Sequence, residues 1–166
     1  MEQPTYRSVS LLWLFSLLVC LPYTTHAADT ISNALIGTWK GKCIDIGATP
    51  DGRYIVSIAT YKQGNQYQDQ TLYYKDANCK TRSSGIKKSK GTFKIGNEVK
   101  MADGKNAYQI DYIITSNYYK TLRLPSVRIK NIIHIEKNTL TMGKLTPSTL
   151  KKRPSTLDPN NPATRQ

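Results

Sequence analysis

Few side chains in this sequence could perform acid–base or metal chemistry. Only one histidine, His134, follows residue 27, so no second imidazole is available there for a metal site. The sequence contains no G-x-S-x-G elbow and no phosphate-binding loop. A two-carboxylate hydrolase would need aspartates that meet in space, and most aspartates sit in predicted turns, where they serve backbone hydrogen bonding. We therefore expect no enzyme activity, no catalytic residue, no metal and no cofactor.

The aromatic residues are more informative. After residue 27 the chain has nine tyrosines but one phenylalanine and one tryptophan. Tyrosine suits an interior that is partly apolar and partly wet, because its ring packs while its hydroxyl still needs a partner. Ordinary strand propensity is the alternative explanation, since tyrosine is favoured on either face of a strand. The candidate ligand-binding residues are Trp39, Tyr54, Tyr73, Tyr108 and Tyr112.

Basic residues concentrate in the run CKTRSSGIKKSKG, within a chain of net charge +13. We predict that this run is a charged connection between strands. A basic surface attracts anions such as lipid head groups or acidic polysaccharides. The run has no interleaved aromatic residues for base stacking, which argues against specific nucleic-acid binding. The candidate anion-contact residues are Lys80, Arg82, Lys87, Lys88 and Lys90.

The N-terminal residues have the pattern of an export signal. A polar head precedes the uncharged run LLWLFSLLVCLPY, and Thr25 and Ala27 are the small residues that a cleavage site requires. We predict a signal peptide over 1–27 and a secreted or periplasmic protein. Lipid attachment at Cys20 is the alternative. Removal of residues 1–27 from the 166 leaves 139 residues, enough for one domain, and leaves Cys43 and Cys79, which we expect to form a disulfide.

Short blocks rich in Val, Ile, Thr and Tyr, separated by Gly, Asn and Asp clusters, predict an all-β domain without helices. The predicted fold is an antiparallel up-and-down β-barrel of about eight strands with an irregular C-terminal segment. Alternation places Ile110 and Ile114 on an inward face with two of the candidate tyrosines, and Asn131 inward among isoleucines, while Ile132 and His134 point outward. The predicted strands are 35–46, 53–63, 66–75, 91–95, 97–101, 106–116, 127–136 and 138–143.

The C-terminal residues change character after Gly143, where prolines and basic residues accumulate. Such a composition is typical of a disordered tail. Leu145, Leu150 and Leu157 are apolar anchors, however, that indicate a segment folded back over the barrel. We predict a domain over 28–157 and a flexible tail over 158–166.

Three blocks in order resemble a known family. They are GTWKGKC (37–43), TLYYKDANCKT (71–81) and LTMGKLTPSTLKKRPSTLDP (140–159). GTW is similar to the G-x-W signature of the lipocalin and calycin superfamily. The closer resemblance is to the lipocalin-like domain of the extracellular Wnt inhibitors named for adenomatosis polyposis coli down-regulation. The chain has one such domain and lacks the additional cysteines of the animal proteins, so it resembles a bacterial single-domain relative, and Wnt antagonism is not carried over.

The resemblance implies a Cys43–Cys79 disulfide, a barrel open at one end to a hydrophobic ligand such as an acyl chain, and an Arg153-Pro154 segment close to the barrel. Alternation puts Trp39 on the inner side of the first strand, and we predict that it plugs the closed end with Arg153 across its ring. The leading hypothesis is a monomeric, exported binding protein for a small hydrophobic or acyl ligand. The alternative is a basic, envelope-associated protein that acts through its surface on anionic polymers, lipids or a partner protein.

Overall fold

The computed structural model describes residues 25–144 and 152–166. Most of the predicted signal peptide, Cys20, and two of the leucine anchors, Leu145 and Leu150, lie outside the described residues. Within the described part of the chain, no helix is long and apolar enough to cross a membrane. The elements are α1 (Thr25–Leu35), β1 (Gly37–Gly41), β2 (Ile44–Asp45), β3 (Tyr54–Lys62), β4 (Gln66–Tyr74), β5 (Arg82–Lys100), β6 (Asn106–Tyr119), β7 (Leu122–Arg123), β8 (Val127–Glu136), β9 (Thr139–Met142) and β10 (Ala163–Arg165).

Eight of the strands close into an antiparallel barrel, which confirms the predicted fold class. Neighbours around the barrel follow the order β1, β3, β4, β5, β6, β8, β9 and β10, and β10 pairs with β1 to close the ring. The short strand β2 pairs with β3, and the short strand β7 pairs with β6. Barrel strands that follow one another in sequence are neighbours throughout, and the first and last of them, β1 and β10, also pair, as a closed up-and-down barrel requires.

The inner faces follow the predicted alternation in β6 and β1. Ile110, Tyr112 and Ile114 are buried, whereas Ile113 between them is exposed. Trp39 is buried while Lys40 and Lys42 are exposed. The core cluster, which collects these inward residues, consists of Leu35, Trp39, Tyr61, Phe93, Ile110, Tyr112, Ile114, Ile133 and Leu140.

The barrel has eight strands, as predicted, but two of these strands differ from the predicted ones. The strands predicted over 91–95 and 97–101 are parts of one long strand, β5, which also takes in most of the run predicted to be a charged connection. Its pairing with β6 is irregular between Lys90 and Gly91 and again between Ile95 and Glu98. A Cβ at Gly91 would overlap the carbonyl oxygen of Ile113, so only glycine fits there. Irregularities of this kind let one strand bend around a barrel.

The prediction of a flexible tail over 158–166 is wrong. Ala163–Arg165 forms β10, which lies between β9 and β1 and supplies the eighth strand. The backbone nitrogen of Gln166 donates to the carbonyl of Thr38 at 2.9 Å, and that of Arg165 donates to Asn138 at 2.9 Å. Without these residues the facing edges of β1 and β9 would keep unpaired backbone groups.

The expectation of no helix is also wrong, because α1 precedes the first strand. It ends at Leu35, which is buried in the core cluster, and the chain then turns at Gly37 with φ +136°. Glycine adopts this φ without the steric cost that a side chain would bring. The predicted cleavage point at Ala27 lies in the first turn of this helix. Only eight helical residues follow that point, too few for a clear helical period in the sequence.

The two ends of the barrel differ. The closed end carries α1 and the turns at residues 62–66, 100–106 and 136–139. The open end carries the longer connections at residues 41–54, 74–82 and 119–127, and the connection between β9 and β10, of which residues 143–144 and 152–163 are described. The disulfide between Cys43 and Cys79 joins two of these connections, with Cα atoms 5.8 Å apart, and confirms the predicted pairing.

Candidate ligand-binding cavity

A cavity of about 220 Å³ lies inside the barrel, between the core of the closed end and the connections of the open end. Most of its wall is apolar and comes from the inner faces of the strands. Its polar lining residues are Ser57, Asp69, Asn131 and Asn161. Its other lining residues are Trp39, Gly41, Ala59, Tyr67, Tyr112, Ile114, Ile129, Leu140, Met142 and Ala163. An apolar chamber with a few convergent polar groups is the usual form of a small-molecule site.

Three tyrosines, from β3, β4 and β6, form one side of the cavity wall and the core beneath it. The hydroxyls of Tyr61 and Tyr112 lie 2.7 Å apart and share a hydrogen bond. The rings of Tyr67 and Tyr112 have centroids 4.7 Å apart, and those of Tyr61 and Tyr67 are 5.3 Å apart. Burial raises the pKa of all three phenols above its ordinary value. These side chains therefore stay uncharged at neutral pH and offer rings and neutral hydroxyls.

Asp69 is a carboxylate in this otherwise uncharged lining. It lies on β4, paired with Ala59 of β3 and Ser89 of β5. Burial raises its pKa to about 6, and the nearby ammonium of Lys87 lowers the pKa only in part. No side chain or backbone group of the described residues donates a hydrogen bond to this carboxylate or forms an ion pair with it. A buried charge without such partners is costly, so its free lone pairs mark a position where a ligand can bind.

Asn131 is the second polar residue of the lining whose hydrogen bonding is incomplete within the part of the chain that the structure describes. The residue is 1% exposed, and its side-chain oxygen accepts a hydrogen bond from the backbone nitrogen of Ile132 at 2.8 Å. Its Nδ2 has no hydrogen-bond partner among the described residues. An unmet buried donor costs about 1–3 kcal/mol. Asn131 was predicted to point inward among isoleucines, so the alternation of β8 carried this signal.

Trp39 lines the cavity and also belongs to the plug at the closed end. Its Nε1 donates to the carbonyl of Leu35 at 2.8 Å, and the residue is fully buried. The guanidinium of Arg165 lies 4.5 Å from the ring centroid and donates to the carbonyls of Ile36, at 3.0 Å, and Ala34. This contact joins β10 to β1 and to the end of α1, where a cation is favourable for the helix.

The prediction that Arg153 lies across Trp39 is therefore wrong, because Arg165 takes that position. Arg153 instead lies on the outer surface of the barrel, where it donates to the carboxylate of Asp111 and the carbonyl of Asn131, each at 2.5 Å, and to the carbonyl of Ile110 at 3.1 Å. The predicted contact between the Arg-Pro segment and the barrel is confirmed. Ile132, predicted to be exposed, is buried on the outer face beside Pro154.

Of the five candidate ligand-binding residues, the structure places Trp39 and Tyr112 in the cavity lining. Tyr108 packs against the core cluster but does not line the cavity. Tyr73 lies near the open end, beyond the cavity, with its ring against Tyr119 at 6.0 Å. Tyr54 alternates out of phase with the cavity residues Ser57 and Ala59, so it belongs to the outer face, where the guanidinium of Arg53 lies 5.8 Å from its ring.

Two lining residues, Tyr67 and Asp69, were missed by the sequence prediction. Both lie in the correctly predicted strand QYQDQTLYY, in phase with each other. An aspartate in phase with tyrosines on an inward strand face was the signal that could have identified the polar group. The sequence prediction did not single out Asp69 among the aspartates of the chain.

The open end is partly covered by contacts between its connections. The ammonium of Lys120 lies 2.5 Å from the carboxylate of Asp51, which joins the connection after β6 to the connection before β3. The hydroxyl of Ser83 donates to the backbone carbonyl of Asp51. Gly85 allows this approach, since a Cβ there would lie 2.6 Å from Cβ of Asp51.

The basic residues predicted to form one anion-contact loop are divided between two faces. Four of them, Lys80, Arg82, Lys88 and Lys90, are exposed, and the last three alternate along the outer face of β5. Lys87 is half-buried and lies in phase with the buried Gly85 and Ser89, on the inner face of β5. Its positive charge lowers the pKa of Asp69. The prediction of a connection was wrong because lysines at every second position are compatible with the outer face of a strand.

Two exposed apolar side chains of β6, Ile113 and Tyr118, lie beside basic side chains on the outer face of the barrel. The outer patch is defined as Lys88, Lys90, Ile113, Tyr118, Arg123 and Arg128. Ile113 pairs with Arg128, and Tyr118 pairs with both Lys88 and Arg123, so basic and apolar positions interleave. Ile113 is 45% exposed and Tyr118 is 37% exposed.

A further groove, of about 430 Å³, lies outside the barrel between the 101–105 turn, the outer faces of β8 and β9, and residues 155–159. His134 faces it, as predicted for an outward residue, and its Nδ1 lies 2.7 Å from the carbonyl of Asn106. Its Nε2 is 3.8 Å from Glu136. In the described ranges, no three His, Cys, Asp or Glu residues cluster as metal ligands would.

Comparison with known proteins adds no relative: no protein-family model matches this chain, and no curated protein matches it significantly.

Proposed function

We propose that this protein is an exported, non-enzymatic binding protein that holds a small hydrophobic ligand in its barrel cavity. The observation that carries the proposal is an interior chamber with apolar walls and two polar groups, Asp69 and Asn131, that the described residues leave unpaired or only partly paired. A packed interior without a binding role would satisfy or omit such groups. The disulfide supports export, because disulfides persist in oxidising compartments.

The volume limits the ligand. A cavity of about 150 Å³ is known to bind benzene, and drug-sized ligands occupy about 300–1,000 Å³. The observed 220 Å³ lies between these values. A ligand enclosed entirely by the barrel therefore has the size of one substituted ring or a short acyl group.

We also propose that the barrel is related to the lipocalin-like domains that its sequence blocks resemble. The contact between Arg165 and the tryptophan of GTW, at the closed end, supports this relationship. So does the docking of the Arg153-Pro154 segment on the barrel.

Binding can be tested through Trp39, the only tryptophan beyond the predicted signal peptide, because it lines the cavity. Native mass spectrometry would detect a ligand that co-purifies, and titration with short-chain acyl and single-ring compounds would follow Trp39 fluorescence. Ser57→Leu places an apolar side chain in the cavity, whereas Gln70→Leu places it on the exposed outer face of the neighbouring strand. We expect Ser57→Leu to weaken binding at least tenfold and Gln70→Leu to leave it unchanged. Binding that is equal in both variants would exclude the cavity.

The outer patch supports a second candidate function, adsorption to an anionic membrane surface. Interleaved basic and apolar side chains suit the boundary between head groups and acyl chains, and the net charge of +13 adds attraction. Sedimentation with phosphatidylglycerol vesicles should recover the protein, and phosphatidylcholine vesicles should not. Ile113→Ser together with Arg128→Gln should reduce recovery several-fold. Equal recovery with both lipids would exclude this function.

A further inference from the structure

The polar groups of the cavity have a specific chemistry that the apolar walls do not explain. Asp69 presents a carboxylate to the cavity lining, and no described residue donates a hydrogen bond to it or pairs with it. Asn131, itself 1% exposed, lines the same cavity with an amide nitrogen that lacks a partner. One group accepts hydrogen bonds and carries negative charge, and the other donates a hydrogen bond. A ligand that satisfies both must offer a donor and an acceptor on an otherwise apolar frame.

We propose that the cavity selects a small amine, bound through its ammonium group at Asp69, and discriminates against carboxylates of the same shape. This inference rests on the proposed function, since it names the ligand class of the same cavity. A ligand carboxylate beside Asp69 would place two like charges side by side in a partly enclosed cavity, where they repel more strongly than in bulk water. An ammonium there would form a charge-assisted hydrogen bond with a carboxylate that no described residue pairs with.

Two features of the molecule repel a cationic ligand: the side chain of Lys87 and the positive net charge. At short range, each repels the ligand ammonium less than the carboxylate of Asp69 attracts it. Lys87 lies on the inner face of β5 and interacts with Asp69, but no ion pair within 4.0 Å joins them. The effect of Lys87 on the pKa of Asp69 is smaller than the effect of burial, because that pKa remains above its ordinary value. The net charge of +13 is spread over the whole chain, and salt screens exposed charges beyond about 8 Å at physiological ionic strength.

The walls fit an amine that carries an aromatic ring on a short alkyl chain. Tyr67, Tyr112 and Trp39 line the cavity with aromatic side chains, and aromatic pairs prefer offset or edge-to-face contacts. A hydroxyl on the ligand ring would offer an acceptor to the unpaired Nδ2 of Asn131.

The test compares three ligands of nearly equal shape: tyramine, which is cationic, 2-(4-hydroxyphenyl)ethanol, which is neutral, and 3-(4-hydroxyphenyl)propionate, which is anionic. Dissociation constants would be measured by calorimetry at pH 7.5 with the parent protein, Asp69→Asn and Lys87→Gln. Asn has the shape of Asp without its charge. In the parent we expect tyramine to bind at least tenfold more tightly than the propionate. Asp69→Asn should weaken tyramine at least tenfold and change the alcohol by less than threefold. Lys87→Gln should strengthen tyramine.

The outcomes separate this inference from the proposed function. If the propionate binds as tightly as tyramine, or if Asp69→Asn leaves tyramine unchanged, the amine assignment is overturned. The same holds if none of the three probes binds while a short-chain acyl compound still binds in a manner sensitive to Ser57→Leu, and in that case the proposed function stands. If no compound of either set binds, both are overturned. Thermal melting of each variant checks that loss of binding is not loss of fold.

Discussion

Asp69→Asn should stabilise the protein, although it removes a group that we assign to ligand binding. Burial raises the pKa of Asp69 from 3.8 to about 6. The folded state therefore holds its proton more tightly than the unfolded state, and at neutral pH folding buries a carboxylate that is already charged, at a cost. A difference of about 2.2 pKa units corresponds to ~3 kcal/mol at 25 °C.

The sign of the pH dependence follows from the same linkage. Between pH 3.8 and about 6 the folded state binds more protons at Asp69 than the unfolded state does. The contribution of this group therefore lowers the free energy of unfolding as the pH rises through that window. Lys87 and the phenols of Tyr61, Tyr67 and Tyr112 surround the carboxylate, and the phenols stay neutral throughout because burial raises their pKa.

The assay is urea unfolding of the parent and of Asp69→Asn at pH 7.5 and pH 4.0, followed by Trp39 fluorescence. We expect the variant to exceed the parent by up to ~3 kcal/mol at pH 7.5, and by less than ~1 kcal/mol at pH 4.0. Because the parent and the variant share all other carboxylates, the pH dependence that those groups contribute cancels in the difference between the two proteins. The neutral amide needs hydrogen bonds of its own, so the larger figure is an upper bound.

Glu98→Gln is the matched control, because Glu98 is an exposed carboxylate on β5. Its replacement should change the free energy of unfolding by less than ~0.5 kcal/mol at either pH. The reasoning would be refuted if Asp69→Asn were less stable than the parent at pH 7.5, or if its advantage were the same at both pH values. Either result would mean that burial does not penalise the carboxylate.

Three further perturbations address the closed end and the disulfide. Trp39→Ala should lower the free energy of unfolding by about 3–5 kcal/mol, as for other large core side chains, and an unchanged urea midpoint would exclude its role as a plug. Arg165→Ala should lower the free energy of unfolding by about 1–3 kcal/mol, because it removes the ring stacking and the hydrogen bonds to Ile36 and Ala34. Thermal melting would measure the loss. Arg165→Lys should restore only part of the stability, and full restoration would show that charge alone matters. Replacing Cys43 and Cys79 by alanine should cost about 4 kcal/mol in the chain-entropy model for a separation of 36 residues, and a change below ~1 kcal/mol would contradict that model.

The fold class and most strands could be predicted because they depend on neighbours in sequence. Side chains of a strand alternate between faces whatever the strand pairs with, so Tyr112 and Asn131 could be assigned to the interior from β6 and β8 alone. The disulfide was equally predictable, because only two cysteines remain after the predicted signal peptide. Asp69 shares this local signal, and the sequence therefore contained both unpaired polar groups of the cavity.

The closure of the barrel and the partners of its arginines depended on contacts between distant residues. β10 has three residues, too few for a pattern, and it becomes a strand because the edges of β1 and β9 pair with its backbone. Arg153 and Arg165 are equivalent as sequence, and only the register Trp39↔Arg165 decides which one lies over the tryptophan. Local alternation thus determined which side chains point inward, whereas backbone pairing across the whole chain decided where the barrel closes and which inward polar groups remain without a partner.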